Sequence, residues 1–186
     1  MAVKIYIDQG HNPENPNAGA EGNGLREKDI TYKVGVRLSS ILRSQGYETR
    51  LSRPTPTTQL GTSNASSLAA RVNDANSWGA NYFISLHTNA SSSPSAEGSE
   101  AYVYRRGGAA EALAEDILTG LRQSTGLPTR GVFPRPSLYV LKKTRMPAVL
   151  VELGFITNPE EAELMNNDSE LFARGVANGI NAYING

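Results

Sequence analysis

The chain has 186 residues, enough to bury a hydrophobic core and few enough to favour one domain spanning residues 1–186. Eighteen basic residues balance eighteen acidic ones, so net charge gives no support to binding of nucleic acid or of an anionic membrane. Cysteine is absent, which excludes disulfides and thiolate metal sites.

Apolar strands and amphipathic helices alternate through the first half of the chain. Ile30, Val34 and Leu38 recur at helical spacing, and Gly46 would end that helix as a C-terminal cap. In chain order we predict a strand at Val3–Ile7, a helix from about Glu27 to Gly46, a strand at Tyr47–Leu51, a helix from about Leu68 to Gly79 and a strand at Asn81–Leu86.

The second half continues the same alternation. We predict strands at Glu100–Tyr104, Leu138–Leu141 and Ala148–Val151, a helix through Leu113 and Leu121 that ends near Gly126, and a closing helix from Phe172 to Ile184. Asn158, Pro159 and Glu161 predict a helix start, with an N-cap, a first-turn proline and a capping glutamate. Such alternation indicates an α/β fold with a largely parallel sheet.

The two histidines of the chain each come at or just after the end of a predicted strand. His11 follows the strand that stops at Gly10, and His87 follows Asn81–Leu86. In open α/β sheets, sites lie beyond the carboxyl ends of the strands, so parallel strands would bring both imidazoles to one edge. Position alone leaves another interpretation open, in which the two histidines are unrelated.

Glu27 is the third candidate. It precedes Ile30 and Val34 by three and seven residues, which places it on the helix face that looks toward the sheet. A carboxylate in the first helical turn is also favoured by the helix dipole, so a helix-start glutamate with no further role remains an alternative. As a ligand, Glu27 would complete two imidazoles and one carboxylate, a common ligand set of hydrolytic zinc.

Glu152 is the fourth candidate because it follows the apolar run Ala148–Val151. A lone carboxylate at the end of a buried strand is costly unless it is paired or hydrogen-bonded. Burial would raise its pKa and a nearby Zn²⁺ would lower it, which is the tuning that a general base needs. The alternative is a strand-end glutamate paired with Arg or Lys.

The motifs around these residues are more specific than their spacing. In chain order they are Gly10-His11, Leu25-Arg26-Glu27-Lys28-Asp29, Leu68-Ala69-Ala70-Arg71, Ser85-Leu86-His87-Thr88-Asn89-Ala90, and Met146 through Glu152 into Leu153-Gly154-Phe155-Ile156-Thr157-Asn158. Together these motifs resemble the zinc-dependent N-acetylmuramoyl-L-alanine amidases of cell division, spore mother-cell lysis and phage lysis, and the resemblance covers nearly the whole chain.

The resemblance implies a single α/β domain with a six-stranded, mostly parallel sheet flanked by helices on both faces. It also implies that His11, Glu27 and His87 bind one zinc ion per chain and that Glu152 is the catalytic carboxylate. Two departures stand out. The family often has Pro where this chain has Gln9. Division-type members carry a long blocking insertion, whereas here only the segment from Thr88 to Gly98 lies between His87 and the next predicted strand, so we expect an open site.

Four further residues are candidates for supporting roles. Arg71 would hold site loops through hydrogen bonds, and Asn89 would orient substrate or stabilise its turn. Glu100 alternates with Ala101 and would lie beside the site or on an exposed strand face. Arg130, like Arg135, flanks a Gly/Pro loop and would meet stem-peptide carboxylates, if it is not simply solvated.

We therefore expect a monomeric peptidoglycan hydrolase, an autolysin-type enzyme, that cleaves the amide between N-acetylmuramic acid and L-alanine with zinc-activated water. Its partner would be the glycan strand with its stem peptide, with no nucleic acid and no membrane. The N-terminus lacks the apolar segment of a signal peptide, so action on the cell wall would need export in a longer form or release on lysis. A zinc peptidase or deacylase on another cell-wall amide, and a non-catalytic wall-binding module, are the alternatives.

Overall fold

The computed structural model describes residues 2–186 and contains eight strands and six helices in that range. The strands are β1 Lys4–Gln9, β2 Glu21–Gly22, β3 Leu25–Arg26, β4 Glu48–Leu51, β5 Tyr82–Asn89, β6 Ser99–Val103, β7 Thr129–Pro134 and β8 Ala148–Phe155. The helices are α1 Glu27–Ser44, α2 Asn64–Trp78, α3 Ala109–Thr125, α4 Tyr139–Lys143, α5 Pro159–Asn167 and α6 Ser169–Asn185. None of these helices is long and apolar enough to cross a membrane.

Six strands form one sheet in the order β4-β1-β5-β8-β6-β7, and β2 and β3 form a separate two-stranded hairpin. Neighbouring strands from β4 to β8 are parallel, and so are β6 and β7, but β6 runs antiparallel to β8. The expectation of a six-stranded, mostly parallel sheet is therefore confirmed.

Successive side chains of each strand point to opposite faces of the sheet. Both faces of this sheet carry apolar side chains, and helices pack on each of them. Ile5 and Ile7 of β1 belong to a core that also contains buried side chains of α1, α3 and α6. Tyr6 faces the other way, into a second core with Val72 of α2 and Val140 of α4. The site described below lies at the carboxyl ends of β1, β5 and β8.

In the second half, one prediction was wrong and one strand was missed. Leu138–Leu141 is not a strand: residues 139–143 form the short helix α4, with Val140 and Leu141 buried. A short apolar run does not distinguish a strand from a buried helical turn. Strand β7 was not predicted, since Gly131 and Pro134 interrupt it and its burial is concentrated at Val132.

The start of α5 follows the prediction except for Glu161. The Asn158 side chain accepts hydrogen bonds from the Glu160 and Glu161 N–H groups, and Pro159 occupies the first turn. The Glu161 carboxylate does not close a capping box. It accepts instead from the N–H groups of Gly98 and Phe155, both at 2.6 Å, and so ties the loop before β6 to the end of β8.

Candidate metal centre

The fold brings His11, Glu27 and His87 together at one edge of the sheet. β1 and β5 are parallel neighbours with Gln9 opposite Leu86, so the residues that follow this pair emerge side by side. Glu27 is the first residue of α1. His11 Nε2 lies 3.1 Å from Glu27 Oε2, His87 Nδ1 lies 3.2 Å from Glu27 Oε1, and the two nitrogens are 3.2 Å apart.

These distances fit a single metal ion. Tetrahedral zinc with ligand bonds of roughly 2.0–2.2 Å places its ligand atoms about 3.4 Å apart. The three donor groups of His11, Glu27 and His87 lie close to that spacing, and within residues 2–186 they form a group that could hold an ion. Two imidazoles and a carboxylate are also the donor types that zinc takes in hydrolytic sites.

Hydrogen bonds fix the orientation of His11 as a ligand. Its Nδ1 lies 2.9 Å from Asn17 Oδ1, so Nδ1 carries the proton that it donates, and the Nε2 lone pair faces Glu27 and His87. The His11 backbone has a φ of 70°, a conformation that few residues other than glycine adopt. A Cβ on Gly19 would lie 2.6 Å from His11 Cγ, so the glycine makes room for the ring.

The Glu27 carboxylate is held on both oxygens. Oε2 accepts a hydrogen bond from Ala20 N–H and Oε1 accepts one from Thr88 N–H, each at 2.9 Å. Burial by itself raises the pKa of Glu27, but hydrogen bonds and charges of His11 and His87 outweigh it and hold the pKa far below its usual range. Glu27 is therefore an anion fixed in place, as a metal ligand must be.

Glu152 lies beside this group on β8, opposite His87 of β5 in the strand register and opposite Glu100 of β6 on the other side. Its Oε2 is buried without a hydrogen-bond partner, and no Arg or Lys within residues 2–186 forms a salt bridge with it. Burial, together with the negative charges of Glu27 and Glu100, raises the pKa of Glu152 to about 8. The pairing with Arg or Lys left open by the sequence is thus absent from the described residues.

Comparison with known proteins shows the family to which the chain belongs. Residues 5–182 match the family described as N-acetylmuramoyl-L-alanine amidase. The chain belongs to that family. It is 37% identical over 183 residues to an N-acetylmuramoyl-L-alanine amidase of Bacillus licheniformis, covering 96% of this chain and 67% of the relative. It is 35% identical to the sporulation-specific N-acetylmuramoyl-L-alanine amidase of Bacillus subtilis, covering 98% of this chain and 69% of the relative.

A solved amidase structure has the same architecture. The catalytic domain of an N-acetylmuramoyl-L-alanine amidase from Bacillus (Paenibacillus) polymyxa superposes with a TM-score of 0.85 at 31% identity, covering 98% of each chain. The six-stranded sheet and its helices are therefore those of the amidase family.

Arg71 of this amidase domain is buried in an ion pair beside the candidate metal centre. Its Nη1 donates to Asp8 Oδ1 at 2.7 Å, and the two side chains are 1% and 2% exposed. The same guanidinium donates to the carbonyl oxygens of Gln9 and His11, both at 2.7 Å. Arg71 thus makes the loop-holding hydrogen bonds expected of it. Asp8 was missed because a polar residue inside a strand carries no signal of a partner more than 60 positions away.

The departure from the family at Gln9 is accommodated by hydrogen bonds. The backbone N–H of Gln9 donates to Ser52 Oγ at 2.9 Å, a bond that proline has no hydrogen to make. The side-chain oxygen accepts from Arg53 N–H at 2.8 Å. Arg53 is itself buried and donates to the Lys28 carbonyl at 2.7 Å, so it joins the end of β1 to the start of α1.

Glu100 gathers the other candidate residues into one network. Its Oε1 accepts from Asn89 Nδ2 at 2.7 Å and from the Tyr102 hydroxyl, and its Oε2 accepts from Arg130 Nε at 3.0 Å. Glu100 is buried, so the exposed-strand interpretation is wrong. Tyr102 was missed, although its spacing of two from Glu100 places both on one face of β6. Arg135 lies over the Tyr102 ring at 4.9 Å.

Proposed function

We propose that this chain hydrolyses the amide bond between N-acetylmuramic acid and L-alanine in peptidoglycan, with one zinc ion held by His11, Glu27 and His87. The observation that carries the proposal is the convergence of these ligand atoms at 3.1–3.2 Å beside the carboxyl group of Glu152. Membership of the amidase family and the supporting hydrogen bonds agree with it.

Zinc bound by these ligands supplies positive charge that polarises the attacked carbonyl and acidifies water. Glu27 and the two histidines keep the ion in place. His11 contributes Nε2, while its Nδ1 keeps its proton and donates it in a hydrogen bond to Asn17 Oδ1. Because each of the two imidazoles is occupied as a ligand, neither is available to move protons.

Glu152 is the proton carrier in this proposal. Its carboxylate takes a proton from the attacking water and delivers it to the nitrogen of L-alanine as the amide C–N bond breaks. The burial that raises the pKa of Glu152 makes the group basic enough to accept the proton, and a zinc ion held by His11, Glu27 and His87 would lower that pKa. The side chain has no ion-pair partner within residues 2–186, so no competing cation restrains it.

The network on Glu100 has a positioning role in this proposal. Asn89 and Arg130 both donate to its carboxylate, which fixes the β6 carboxylate that faces Glu152 in register. Arg130 is therefore assigned to holding Glu100 rather than to the substrate. Arg135 is exposed, and its side-chain nitrogen bonds only the Pro134 carbonyl among the described residues, so it is the better candidate for a stem-peptide carboxylate.

We propose that the chain acts as a monomer at the cell wall. No specific observation favours a zinc peptidase, a deacylase or a non-catalytic wall-binding module. The non-catalytic alternative is disfavoured because all four residues are present and three are within contact of one another.

The test is mass spectrometry of peptidoglycan digested by the purified protein, with and without a chelator, together with metal analysis. We expect about one zinc per chain and new free L-alanine amino termini that disappear when zinc is removed. Cut cross-links in place of L-alanine termini would establish a peptidase. Full zinc content with no cleavage product would establish the non-catalytic alternative.

A further inference from the structure

The charges of the chain are unevenly distributed although they sum to zero. Residues 117–151 contain six basic residues and no acidic residue, so acidic residues elsewhere in the sequence restore the balance. Four basic residues lie in the segments around the start of β8: Arg105 after β6, Lys142 and Lys143 at the end of α4, and Arg145 just before β8. We call these four residues the cationic edge.

Antiparallel pairing brings two of these segments together. β6 and β8 pair with Tyr102 opposite Leu150, so the chain that leaves β6 lies beside the chain that enters β8. Arg105 and Lys142 consequently line the same depression, which has a volume of about 430 Å³. Two cationic side chains from distant parts of the sequence therefore share one surface.

The remaining two cations are held in place from α2. Asn76 donates its side-chain N–H to the Lys143 carbonyl oxygen and accepts from the Arg145 N–H, both at 3.0 Å. All four residues of the cationic edge are exposed, and none of them forms an ion pair within residues 2–186. Their side chains are thus free to meet an external anion.

Acidic residues of the bordering helices do not neutralise this surface. Asp74 of α2 is paired with Arg50, and Glu111 in the first turn of α3 is paired with Arg106. The segment that joins β7 to β8 contributes no acidic residue. The cationic edge therefore carries an uncompensated positive charge on a protein whose net charge is zero.

The cationic edge lies at the opposite end of the sheet from the candidate metal centre. Ala148 lines the depression and begins β8. Glu152 comes four residues later, roughly 13 Å further along the strand at about 3.3 Å per residue. A ligand bound at the cationic edge would leave the metal centre open to substrate.

We propose that the cationic edge binds a linear phosphodiester polymer, of the kind that many bacterial cell walls carry beside peptidoglycan. Arginine and lysine bind phosphate oxygens through charge-assisted hydrogen bonds. Only Arg105 and Lys142 line the depression, so a single phosphate there would leave Lys143 and Arg145 unused, whereas repeated phosphates of one strand meet all four. This binding goes beyond the amidase function and holds the enzyme on the wall.

A bilayer surface fits the cationic edge less well than a polymer does. Membrane-surface binding combines cations with apolar side chains that enter the acyl region. Within residues 2–186 the exposed large hydrophobic side chains are Val36 and Tyr104, and of these Tyr104 alone lines the depression. The surface is therefore suited to electrostatic contact with a polymer in water.

The test is fluorescence anisotropy of a labelled glycerol phosphate oligomer titrated with the purified chain. Four phosphate contacts, at about 0.7 counterion released for each, should raise Kd roughly 50-fold between about 50 and about 200 mM salt. A triple variant of the cationic edge should bind at least roughly tenfold more weakly at the lower salt concentration and show a shallower salt dependence. Its substitutions are Arg105→Gln, Lys142→Gln and Arg145→Gln.

A second triple variant removes the same charge from exposed positions elsewhere on the molecule. Its substitutions are Arg26→Gln, Lys33→Gln and Arg122→Gln. Because salt screens distant charges, its Kd should stay within about twofold of the wild type. Equal weakening by the two triple variants would overturn the proposal. So would tighter binding to phosphatidylglycerol–phosphatidylcholine vesicles, or to single-stranded DNA of matched charge, than to the glycerol phosphate oligomer.

A wall assay separates this proposal from the amidase function. Wild-type protein should sediment with walls that retain their phosphate polymers and be released from walls stripped of them, whereas the cationic-edge variant should sediment poorly with both. Retention that is unchanged on stripped walls would contradict the proposal. Both triple variants should release L-alanine amino termini from a soluble muramoyl peptide at the wild-type rate. No release by the wild type would refute the amidase function and leave the binding result intact.

Discussion

Replacement of Glu152 by Gln should separate stability from turnover. The carboxyl group is buried next to Glu27 and Glu100, and its pKa is raised to about 8. A raised folded-state pKa means that the fold favours the protonated form. The resulting stabilisation is fully present below the ordinary carboxyl pKa of about 4.5 and is lost as pH rises through about 8. Glutamine keeps the shape and removes the ionisation.

The size of the change in the free energy of unfolding follows from how far the pKa of Glu152 is raised. Each pKa unit corresponds to about 1.4 kcal/mol, so ionising Glu152 costs the metal-free fold up to about 5 kcal/mol. In the presence of a chelator, Glu152→Gln should therefore match the wild type near pH 5 and exceed it by several kcal/mol near pH 9. Zinc should shrink this difference because its charge stabilises the carboxylate.

Turnover should change in the opposite direction. Loss of general acid–base help costs roughly 10²–10⁴-fold, so release of L-alanine termini should fall by at least that factor while zinc stays bound. His87→Ala is the contrasting variant and should lose zinc and activity together. Glu163→Gln, an exposed carboxylate on α5, is the matched control and should change neither property.

The measurements are denaturant unfolding at both pH values with a chelator, zinc content and amino-terminus release. Near-normal turnover of Glu152→Gln would show that another group moves the proton. Zinc loss equal to that of His87→Ala would place Glu152 among the ligands. A stability difference that does not grow from pH 5 to pH 9 would contradict the buried, unpaired environment of the carboxyl group.

Two further substitutions and one activity assay test the surroundings of the candidate metal centre. Arg71→Met leaves the buried Asp8 without its ion-pair partner, with the Ser85 hydroxyl still donating to it, so the free energy of unfolding should fall by about 3–5 kcal/mol in denaturant titrations, and an unchanged value would show that the pair contributes nothing. Gly10→Ala places a Cβ 2.5 Å from the Leu86 carbonyl oxygen and 2.6 Å from His87 Cε1, so zinc affinity by competitive chelation should drop, and full zinc affinity would mean that the backbone of β5 and the ring both have room to move. The short loop at residues 90–98 leaves little chain to cover the site, so purified protein should clear cell-wall suspensions without an activator; a zinc-loaded but inert preparation that responds only to a partner protein would contradict this.

Part of the site follows from local sequence. His11 and His87 each follow an apolar strand, and Glu27 begins an amphipathic helix, so their placement at one edge of a parallel sheet is predictable from periodicity and strand order. Glu152 was identified in the same way, as a charged residue after the buried run that became β8. The family motifs added the roles that spacing alone left open.

Other parts were not predictable from local pattern. Leu138–Leu141 is four apolar residues long and fits a strand or a helical turn, and packing against α2 and β8 selects the helix α4. β7 lacks an apolar run because it is the edge strand of the sheet and only Val132 is buried. Glu161 has the sequence position of a capping residue. In the fold, the loop before β6 and the end of β8 come close to its carboxylate, and each donates one backbone N–H group to it.

The sequence by itself determined the alternation of strands and helices and the edge of the sheet where His11, Glu27 and His87 meet, and it predicted four candidate site residues whose roles came from the family resemblance. The tertiary structure decided which side chains meet: the burial of Arg71 against Asp8, the attachment of Asn89 and Arg130 to Glu100, and the placement of Arg105 and Lys142 around one depression. The physical reason is the distance along the chain over which the interactions act. Strand and helix periodicities arise from neighbours along the chain, whereas buried polar groups must find partners among residues brought close only by packing.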